Sequence, residues 1–316
     1  MTVLRRITPK RFYATLHRLA DGKRGATERA FLRALQAAKG KIDQDALRAA
    51  VESGNVEAIL HALHVQDTLV PTLKAGLERQ LGTIVATAKL STDVMLTARV
   101  RALAIKPTQP KTWTVVDPGP TDYLRERSGA LIRDITETTR TSIRKVLARG
   151  QTQGLTWKEK ADQIESMIGL TERQAGWVEA YREKLLDTGG MDQELVDDFA
   201  ARLVRQRAES IARTETMRAA NAGHDMALKR RIDAGDLDAD TLRRVWLVTP
   251  DDRLCPRCAA IPDMNPEGVG ADEPFQTDEG PVDLPPLHPN CRCVTAIDVI
   301  STDWQRAIEL VHGKAA

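Results

Sequence analysis

The stretch RQRAESIARTETMRAANAGHDMALKRR, residues 205–231, lies in a segment at 192–234 that we interpret as one or two long charged helices. Helical spacing of apolar residues also runs through residues 8–106, and it resumes at about residue 122. The predicted fold is therefore mainly α, with an elongated N-terminal helical region followed by a helical domain.

The composition agrees with this fold class. Of the 316 residues, 42% are hydrophobic but only 4% are aromatic, which favours helices packed through Ala, Leu, Val and Ile over a β-sandwich. At about 100–200 residues per domain, the length predicts two domains, or one domain with a long helical extension. No apolar run reaches the roughly 18–20 residues that span a bilayer, so we expect no membrane partner. The N-terminal residues lack an uninterrupted apolar stretch, and we interpret them as mature protein made in a cytoplasm.

Several helix ends are predicted from local signals. Gly54 is expected to stop one helix and Asn55 to cap the start of the next. Thr156 is expected to start the helix WKEKADQIESMIG, and Thr171 and Gln174 have the spacing of a capping box. These signals place at least four separate helices before residue 190.

A proline-rich stretch, KPTQPKTWTVVDPGPTD, predicts the main domain boundary. Each proline removes a backbone donor and disfavours helix at the residue before it, so we interpret this stretch as an extended linker. The predicted segments are an N-terminal helical arm at 1–106, the linker at 107–121, a helical domain at 122–300 that contains a Cys/His module at 246–298, and a C-terminal tail at 301–316.

The charge is distributed unevenly. The whole chain carries 46 Lys and Arg against 44 Asp and Glu, but residues 1–50 carry 12 basic and 4 acidic side chains, and residues 251–290 carry 2 basic and 9 acidic ones. A basic arm can meet phosphates or an acidic protein surface, whereas the acidic segment repels phosphate. A solvated helix face is the alternative for the arm. The candidate contacts to DNA or to a partner protein are Arg5, Arg6, Lys10, Arg11, Arg18, Lys23 and Arg24.

The C-terminal module differs in character from the rest of the chain. A short β-like run, VWLV, follows Asp240, and residues 250–292 form a segment rich in Pro, Gly and Asp that predicts loop. Such a segment is not expected to order without a cross-link, because it offers little apolar material to offset the entropy of ordering. We therefore expect a small β/loop module held together by a metal.

All four cysteines lie in this module, as CPRC at 255–258 and HPNCRC at 288–293. Two Cys/His pairs about thirty residues apart are typical of a structural tetrahedral zinc site. Two disulfides, or reduced thiols without metal, are the alternatives, and a reducing cytosol disfavours the disulfides.

Five candidate ligands compete for four zinc positions. One set is Cys255, Cys258, His288 and Cys291. The other set replaces His288 by Cys293 and leaves the histidine as a hydrogen-bonding neighbour. The spacing leaves both sets open.

No catalytic residue is predicted. The sequence has no GxxxxGK[ST], HExxH or GxSxG motif, no GxGxxG after a strand, and no spacing that specifies a nucleophile with its base. His17, His61, His64, His224 and His312 lie in helical sequence, and we interpret them as surface or capping residues.

A group of polar residues precedes the cysteine segment on the long charged helix. Arg213 and Glu215 are two positions apart and point to different faces. With Asn221 they form either a solvated face with weak ion pairs, or a set of hydrogen bonds that ties the helix to the metal loop. The sequence leaves these two interpretations open.

Four pieces of sequence, in order, resemble the phage Mu F-like minor head proteins, the phage head morphogenesis domain family. They are LARGQTQGLTWKEKADQIESMIGLTERQA, RAESIARTETMRAANAGH, DDRLCPRC and PPLHPNCRC, and the resemblance covers roughly residues 125–300. Residues 1–120 have no recognisable counterpart. The family motif corresponds here to Arg213, Thr214, Glu215, Asn221, Trp246, Asp252, Cys255, Cys258, His288, Cys291, Arg292 and Cys293.

The resemblance implies a non-enzymatic minor capsid protein of a tailed phage or of a gene-transfer particle. It implies assembly in the bacterial host cytoplasm and a final place in the virion, at the portal vertex of the head. The implied partners are the portal protein, the major capsid protein and packaged double-stranded DNA, whose packaging or ejection some members are thought to influence. Self-association through the helical arm is a further expectation, and no fused toxin or enzyme of the kind some relatives carry is expected.

The alternative function is a zinc-dependent nucleic-acid-binding protein or a treble-clef-type nuclease. In that hypothesis His288 would activate water beside a divalent ion with an open coordination position. The acidic surroundings of His288 and its position next to the cysteines disfavour it.

Overall fold

The computed structural model describes residues 9–102, 118–249, 251 and 254–299, and it confirms the mainly helical prediction. Within these residues, no helix is both long enough and apolar enough to cross a membrane. The helices are α1 Pro9–Lys39, α2 Gln44–Ser53, α3 Val56–Ala62, α4 Val70–Ala102, α5 Pro118–Thr152, α6 Trp157–Met167, α7 Glu172–Asp187, α8 Gln193–Asp233 and α9 Pro256–Met264; the strands are β1 Leu242–Leu247 and β2 Val294–Val299, with a π-helical turn at Val65–Leu69 and a 3₁₀ turn at Ala239–Thr241.

The predicted helix ends are confirmed. Gly54 ends α2 in the left-handed conformation, with a φ of 66°, and the Asn55 side chain accepts hydrogen bonds from two backbone N–H groups at the start of α3. Thr156 and Thr171 both form complete capping boxes, at the starts of α6 and α7. Local side-chain chemistry therefore sets where these helices begin and end.

The structure decides one open prediction and changes another. The segment interpreted as one or two helices is a single helix, α8, of 41 residues. The predicted linker overlaps α5, which begins at Pro118; Pro118 and Pro120 fit there because the first-turn N–H groups of a helix have no acceptor to lose. The remainder of the predicted linker, and the tail at 301–316, lie outside the described residues.

The chain forms two compact units. The first unit comprises Met1–Arg24, Leu81–Asp122 and Arg213–Ala316, and the second comprises Gly25–Gln80 and Tyr123–Ala212. Residues of the predicted N-terminal arm belong to both units, because α1 and α4 each contribute residues to both.

The first unit contains a two-stranded antiparallel sheet. Strands β1 and β2 pair with Leu242 opposite Val299 and Trp246 opposite Thr295, which confirms the predicted β-like run. Side chains alternate along β1, so that Leu242, Arg244 and Trp246 share its buried face. An apolar cluster joins this sheet to the flanking helices, and its buried members are Phe12, Met95, Leu96, Leu228, Leu242, Ala296 and Ile297.

The second unit is helical, and polar contacts help to hold its helices together. Helix α2 packs against α6, and α6 packs against α7. The buried Arg207 guanidinium donates to the carbonyl of Gly169 at 3.0 Å and to the Asp134 carboxylate at 3.1 Å. Because a buried charge is costly without partners, these bonds fix the position of α8 within this unit.

His224 is not at the surface, so that prediction is wrong. Its side chain is 2% exposed, its Nδ1 lies 2.9 Å from the Thr92 hydroxyl, and its ring meets Phe12 edge-on at 4.9 Å. Burial, followed by the nearby charge of Arg244, lowers the pKa of His224 to about 3. The imidazole is therefore neutral and acts as part of the core.

The other predicted surface histidines differ in their surroundings. His61 is exposed, and His64 stands at the start of the π-helical turn, where its Nδ1 bonds the Asp67 carboxylate at 2.9 Å. His17 is half-buried, and its contacts are described with the metal centre. His312 lies outside the described residues.

Gly223 allows α8 to approach α4 closely, and an alanine there should destabilise the protein. A Cβ at Gly223 would lie 2.3 Å from the Val85 carbonyl oxygen and 2.9 Å from the Ala88 Cβ. We expect Gly223→Ala to lower the free energy of unfolding by about 1–3 kcal/mol, because the backbone must move to make room. The control is Gly176→Ala on α7, where nothing lies within 4 Å and a helix-favouring residue should be neutral or stabilising. Urea unfolding of both variants measures the difference; equal stabilities would contradict the close approach.

Candidate metal centre

The CPRC sequence forms the start of a helix, not the loop that the composition predicts for residues 250–292. Cys255 is the N-cap of α9, and its sulfur accepts the backbone N–H of Cys258 at 3.3 Å. Pro256 takes the first helical position, where its missing N–H costs nothing. This geometry turns the Cys255 and Cys258 side chains to the same place.

The HPNC sequence forms a tight turn. The Cys291 N–H donates to the His288 carbonyl at 3.1 Å, and Asn290 adopts a left-handed conformation with a φ of 62°. The turn brings His288 and Cys291 next to the first pair. The two short motifs therefore converge, although about thirty residues separate them in sequence.

The five candidate ligands form two overlapping groups that share Cys258. One group is Cys255, Cys258 and His288, the other is Cys258, Cys291 and Cys293, and within each group the ligand atoms lie within 4.8 Å of one another. The Nε2 atom of His288 is 3.0 Å from the Cys255 sulfur and 3.1 Å from the Cys258 sulfur. All four cysteines are free, so the alternative of two disulfides is not what the structure shows.

These distances suit a tetrahedral metal site. Zinc–sulfur bonds of about 2.3 Å place two sulfur ligands roughly 3.8 Å apart at tetrahedral angles. The Cys258 and Cys291 sulfurs are 3.7 Å apart. The donor set of thiols and one imidazole is also the set that zinc prefers among biological ligands.

Hydrogen bonds within the cluster favour the thiolate form of two of its cysteines. Hydrogen bonds from the Cys258 and Cys293 thiols lower the pKa of Cys291. The pKa of Cys255 is also lowered. Burial opposes ionisation of this thiol, but the hydrogen bonds with the Cys258 backbone N–H and with the Cys258 and His288 side chains outweigh the effect of burial. The pKa values of Cys258 and Cys293 are raised, so negative charge is stabilised on two of the four sulfurs.

The histidine is oriented as a metal ligand would be. Its Nδ1 donates to the Pro289 carbonyl at 2.8 Å, which leaves the lone pair of Nε2 directed at the two sulfurs. Both ring nitrogens of His288 are thus engaged. The nuclease hypothesis needs a ring nitrogen available to water, and this geometry does not provide one.

The cysteines also belong to the apolar core of the module. Trp246 on β1 meets the ring of Phe275 edge-on at 5.2 Å, and both are almost fully buried. The buried members of this cluster are Trp246, Cys258, Ile261, Val269, Phe275, Cys291 and Cys293. The Cys/His cluster and the small apolar core therefore share residues.

Two family-motif residues of α8 hold the metal loop directly. The buried Asn221 amide donates to the Cys293 carbonyl at 3.3 Å, and its oxygen accepts the Thr295 N–H at 3.0 Å. The Thr214 hydroxyl accepts the Asn290 N–H at 2.9 Å. The sequence left open whether this group is a solvated face or a set of hydrogen bonds from helix to loop. Asn221 makes such hydrogen bonds, and so does Thr214.

The other two polar residues of this group are placed differently. Glu215 is buried, and its carboxylate lies 3.7 Å from the Arg218 guanidinium one turn along α8. Arg213 is half-buried on the same helix.

Replacing Asn221 by alanine should loosen the module from α8. The Thr295 N–H and the Cys293 carbonyl would lose their partners inside the protein, which costs about 1–3 kcal/mol. The matched control is Gln206→Ala, an exposed position on the same helix, which we expect to change stability by less than about 0.5 kcal/mol. The free energy of unfolding is measured by urea titration of both variants. Equal stabilities of the two variants would show that the hydrogen bonds of Asn221 do not stabilise the protein.

Arg292 links the metal loop to two further segments. Its guanidinium pairs with both oxygens of the Asp251 carboxylate, at 2.5 and 2.7 Å. Its backbone carbonyl accepts from the Thr249 hydroxyl at 3.3 Å and lies 2.9 Å from Nε2 of His17, whose ring stacks on Tyr13. The motif residue Asp252 lies outside the described residues.

The contacts of Arg244 were not predicted from the sequence. Its buried guanidinium bonds the Asp225 carboxylate and the carbonyls of Gly270, Glu273 and Asp283. It thereby holds the acidic loop that connects the two metal-binding motifs. The available signal was the alternation of LRRVWL, which places Arg244 on the same face as Leu242 and Trp246.

The basic residues predicted as DNA or partner contacts are only partly described. Lys10, Arg11 and Arg18 are exposed on α1. Arg24 pairs with Asp21 at 3.3 Å, and Lys23 is half-buried. Arg5 and Arg6 lie outside the described residues.

Fold and site define a mainly helical protein whose C-terminal module is built around a Cys/His cluster. Residues 141–296, just under half of the chain, match the family described as phage Mu protein F like protein, which confirms the resemblance seen in the sequence. The match includes the C-terminal third of α5, both helices with capping boxes, α8 and all five candidate metal ligands. No curated protein and no solved structure matches the chain. A domain of this family indicates a phage head morphogenesis protein with a structural role in the virion.

Proposed function

We propose that the protein is a minor capsid component of a tailed phage or of a related gene-transfer particle, located at the portal vertex. The observation that carries this proposal is the family match over residues 141–296, which contains the whole Cys/His cluster. The portal protein and the major capsid protein are its proposed partners. Long helices tied to a small cross-linked module suit an assembly component, because they present extended surfaces to neighbouring subunits.

We further propose that a structural zinc ion holds the module, with Cys255, Cys258, His288 and Cys291 as ligands. Cys258 is common to both groups of candidate ligands, and its sulfur lies 3.7 Å from the Cys291 sulfur and 3.1 Å from Nε2 of His288. Cys293 lies in the same apolar cluster as Trp246. When bound, zinc would supply a cross-link between the two motifs and would stabilise the folded loop between them.

The test of the head function is a deletion of the coding sequence in the particle-forming element, complemented from a plasmid. We expect the deletion to reduce the yield of filled heads strongly, and the wild-type gene to restore it. Cys258→Ser should fail to restore the yield, while Cys293→Ser, the matched control, should succeed. Unchanged yields in the deletion would contradict a role in head morphogenesis.

The exposed basic face of α1 is proposed to contact packaged DNA through its phosphates. We expect the combined change Lys10→Gln, Arg11→Gln and Arg18→Gln to reduce the slope of log K against log salt by about 2–3, since each lost phosphate contact removes about 0.9. Fluorescence anisotropy with a duplex of arbitrary sequence measures this. Neutralising Lys158, Lys184 and Arg202, three exposed residues elsewhere, is the control and should leave the slope unchanged. Absence of DNA binding by the intact protein would contradict the proposal.

A further inference from the structure

The first half of α1 lies against the metal module, and neither the zinc site nor the head function explains this contact. Nε2 of His17 is 2.9 Å from the Arg292 carbonyl oxygen, although 275 positions separate the two residues along the chain. Because a carbonyl oxygen can only accept a hydrogen bond, Nε2 carries the proton and donates it. The half-buried His17 ring is itself held by Tyr13, which stacks on it at 4.1 Å. Helix α1 therefore places one oriented hydrogen-bond donor on the metal loop.

A second contact joins α1 to the strand that follows the metal loop. Phe12 is 1% exposed and belongs to the apolar cluster that contains Ala296 and Ile297 of β2. Strand β2 continues directly from the last cysteine of the loop. The part of α1 up to Arg24 and the metal module also belong to the same compact unit. The His17 and Phe12 contacts thus hold α1 to consecutive parts of one segment.

The carbonyl that accepts the His17 bond is adjacent to a proposed zinc ligand. Arg292 directly follows Cys291, so a metal that fixes the Cys291 sulfur also restricts the peptide group of Arg292. The same carbonyl oxygen accepts the Thr249 hydroxyl at 3.3 Å. Without a metal, the two Cys/His motifs lose their cross-link, and this carbonyl is held less firmly. The metal centre and the docking of α1 therefore share one backbone group.

The docked half of α1 also carries exposed basic residues. Lys10, Arg11 and Arg18 are exposed on this helix within about two turns of His17. Arg11 and Arg18 are on one face, because seven residues make about two turns. A contact that fixes this part of α1 therefore fixes the direction in which these charges point.

We propose that His17 is a positioning residue of the metal centre, and that metal binding in turn holds the first half of α1 and its basic face against the module. Such coupling is reciprocal, so a docked α1 raises the zinc affinity by the same factor by which zinc favours docking. The proposal rests on the zinc site proposed above. It adds an effect of that site on a helix at the other end of the chain.

The first test is the zinc affinity of the full-length protein, measured by competition with a chromophoric chelator. We expect His17→Leu, which removes the donor, to weaken zinc binding about fivefold or more, at the lower end of typical coupling between sites. His17→Gln keeps an N–H donor and should restore part of the affinity. The matched control is Ala14→Leu, at an exposed position of the same helix, which should leave the affinity unchanged. Unchanged affinity in His17→Leu, or equal losses in His17→Leu and His17→Gln, would overturn the proposal.

Hydrogen exchange of the wild type provides an arm that needs no substitution. Removal of zinc by a chelator should speed amide exchange in residues 10–20 at least about fivefold, and added zinc should reverse the change. Helix α7, in the other unit, is the internal control and should keep its protection. Unchanged exchange in residues 10–20 of a zinc-binding protein would overturn the coupling alone, whereas a wild type that binds no zinc would overturn the zinc site as well. Neither measurement involves DNA or heads, so the outcome is independent of those two proposals.

Discussion

Cys258→Ser should abolish metal binding, whereas Cys293→Ser should retain it. Cys258 belongs to both groups of three neighbouring ligands in the structure. It also belongs to both candidate sets of four zinc ligands, so neither set can form without it. Purified wild type is expected to contain about one zinc ion per chain by plasma mass spectrometry, Cys293→Ser about one, and Cys258→Ser close to none. Because binding energy at a structural zinc site is also folding energy, the Cys258→Ser variant should lose the ordered module.

Limited proteolysis distinguishes loss of the module from loss of the whole fold. Cleavage of Cys258→Ser is expected first within residues 254–293, with the helices of the second unit still protected. Removal of zinc from the wild type by a chelator should reproduce this pattern, and added zinc should reverse it. Metal-free wild type with an intact, protease-resistant module would contradict the zinc proposal.

Arg244→Ala should be strongly destabilising. It would leave the Asp225 carboxylate buried, with the exposed Lys229 ammonium as its remaining ion-pair partner, and it would remove the donor from three carbonyls of the acidic loop. Breaking a buried charge pair costs about 3–5 kcal/mol. The loop would also lose the contact between the guanidinium and the ring of Phe275, at 5.3 Å.

The neighbouring residue provides the control for this prediction. The Arg243 guanidinium bonds the nearby carbonyls of Asp240 and Leu242 and lies on the less buried face of β1. Arg243→Ala should cost less than about 1 kcal/mol. Urea unfolding followed by tryptophan fluorescence reports on Trp246 in the same cluster. Similar costs for the two changes would show that Arg244 does not hold the loop.

Features that depend on neighbouring residues in sequence were predicted well. The caps at Asn55, Thr156 and Thr171 and the β-like run follow from side chains within a few positions of one another. The two metal-binding motifs are of the same kind, since their spacing alone indicates that each can present two ligands to one ion.

Features that depend on distant contacts were not predicted. His224 occupies a helical sequence like that of a surface residue, but Phe12 of α1 and Thr92 of α4, both distant in sequence, pack against it. Arg244 is buried because a loop some thirty residues later supplies its acceptors. Helix α9 was not predicted, because its segment is rich in proline. Pro256 at the first helical position, after Cys255 as N-cap, was the local signal that could have indicated it. The sharing of α1 and α4 between two units likewise has no local signal.

The head function is tested most directly by quantitative mass spectrometry of purified particles, counting copies of this chain against the major capsid protein. We expect a low and constant copy number in particles from independent preparations, as for a minor component at one vertex. Absence of the chain from mature particles and from assembly intermediates would contradict it.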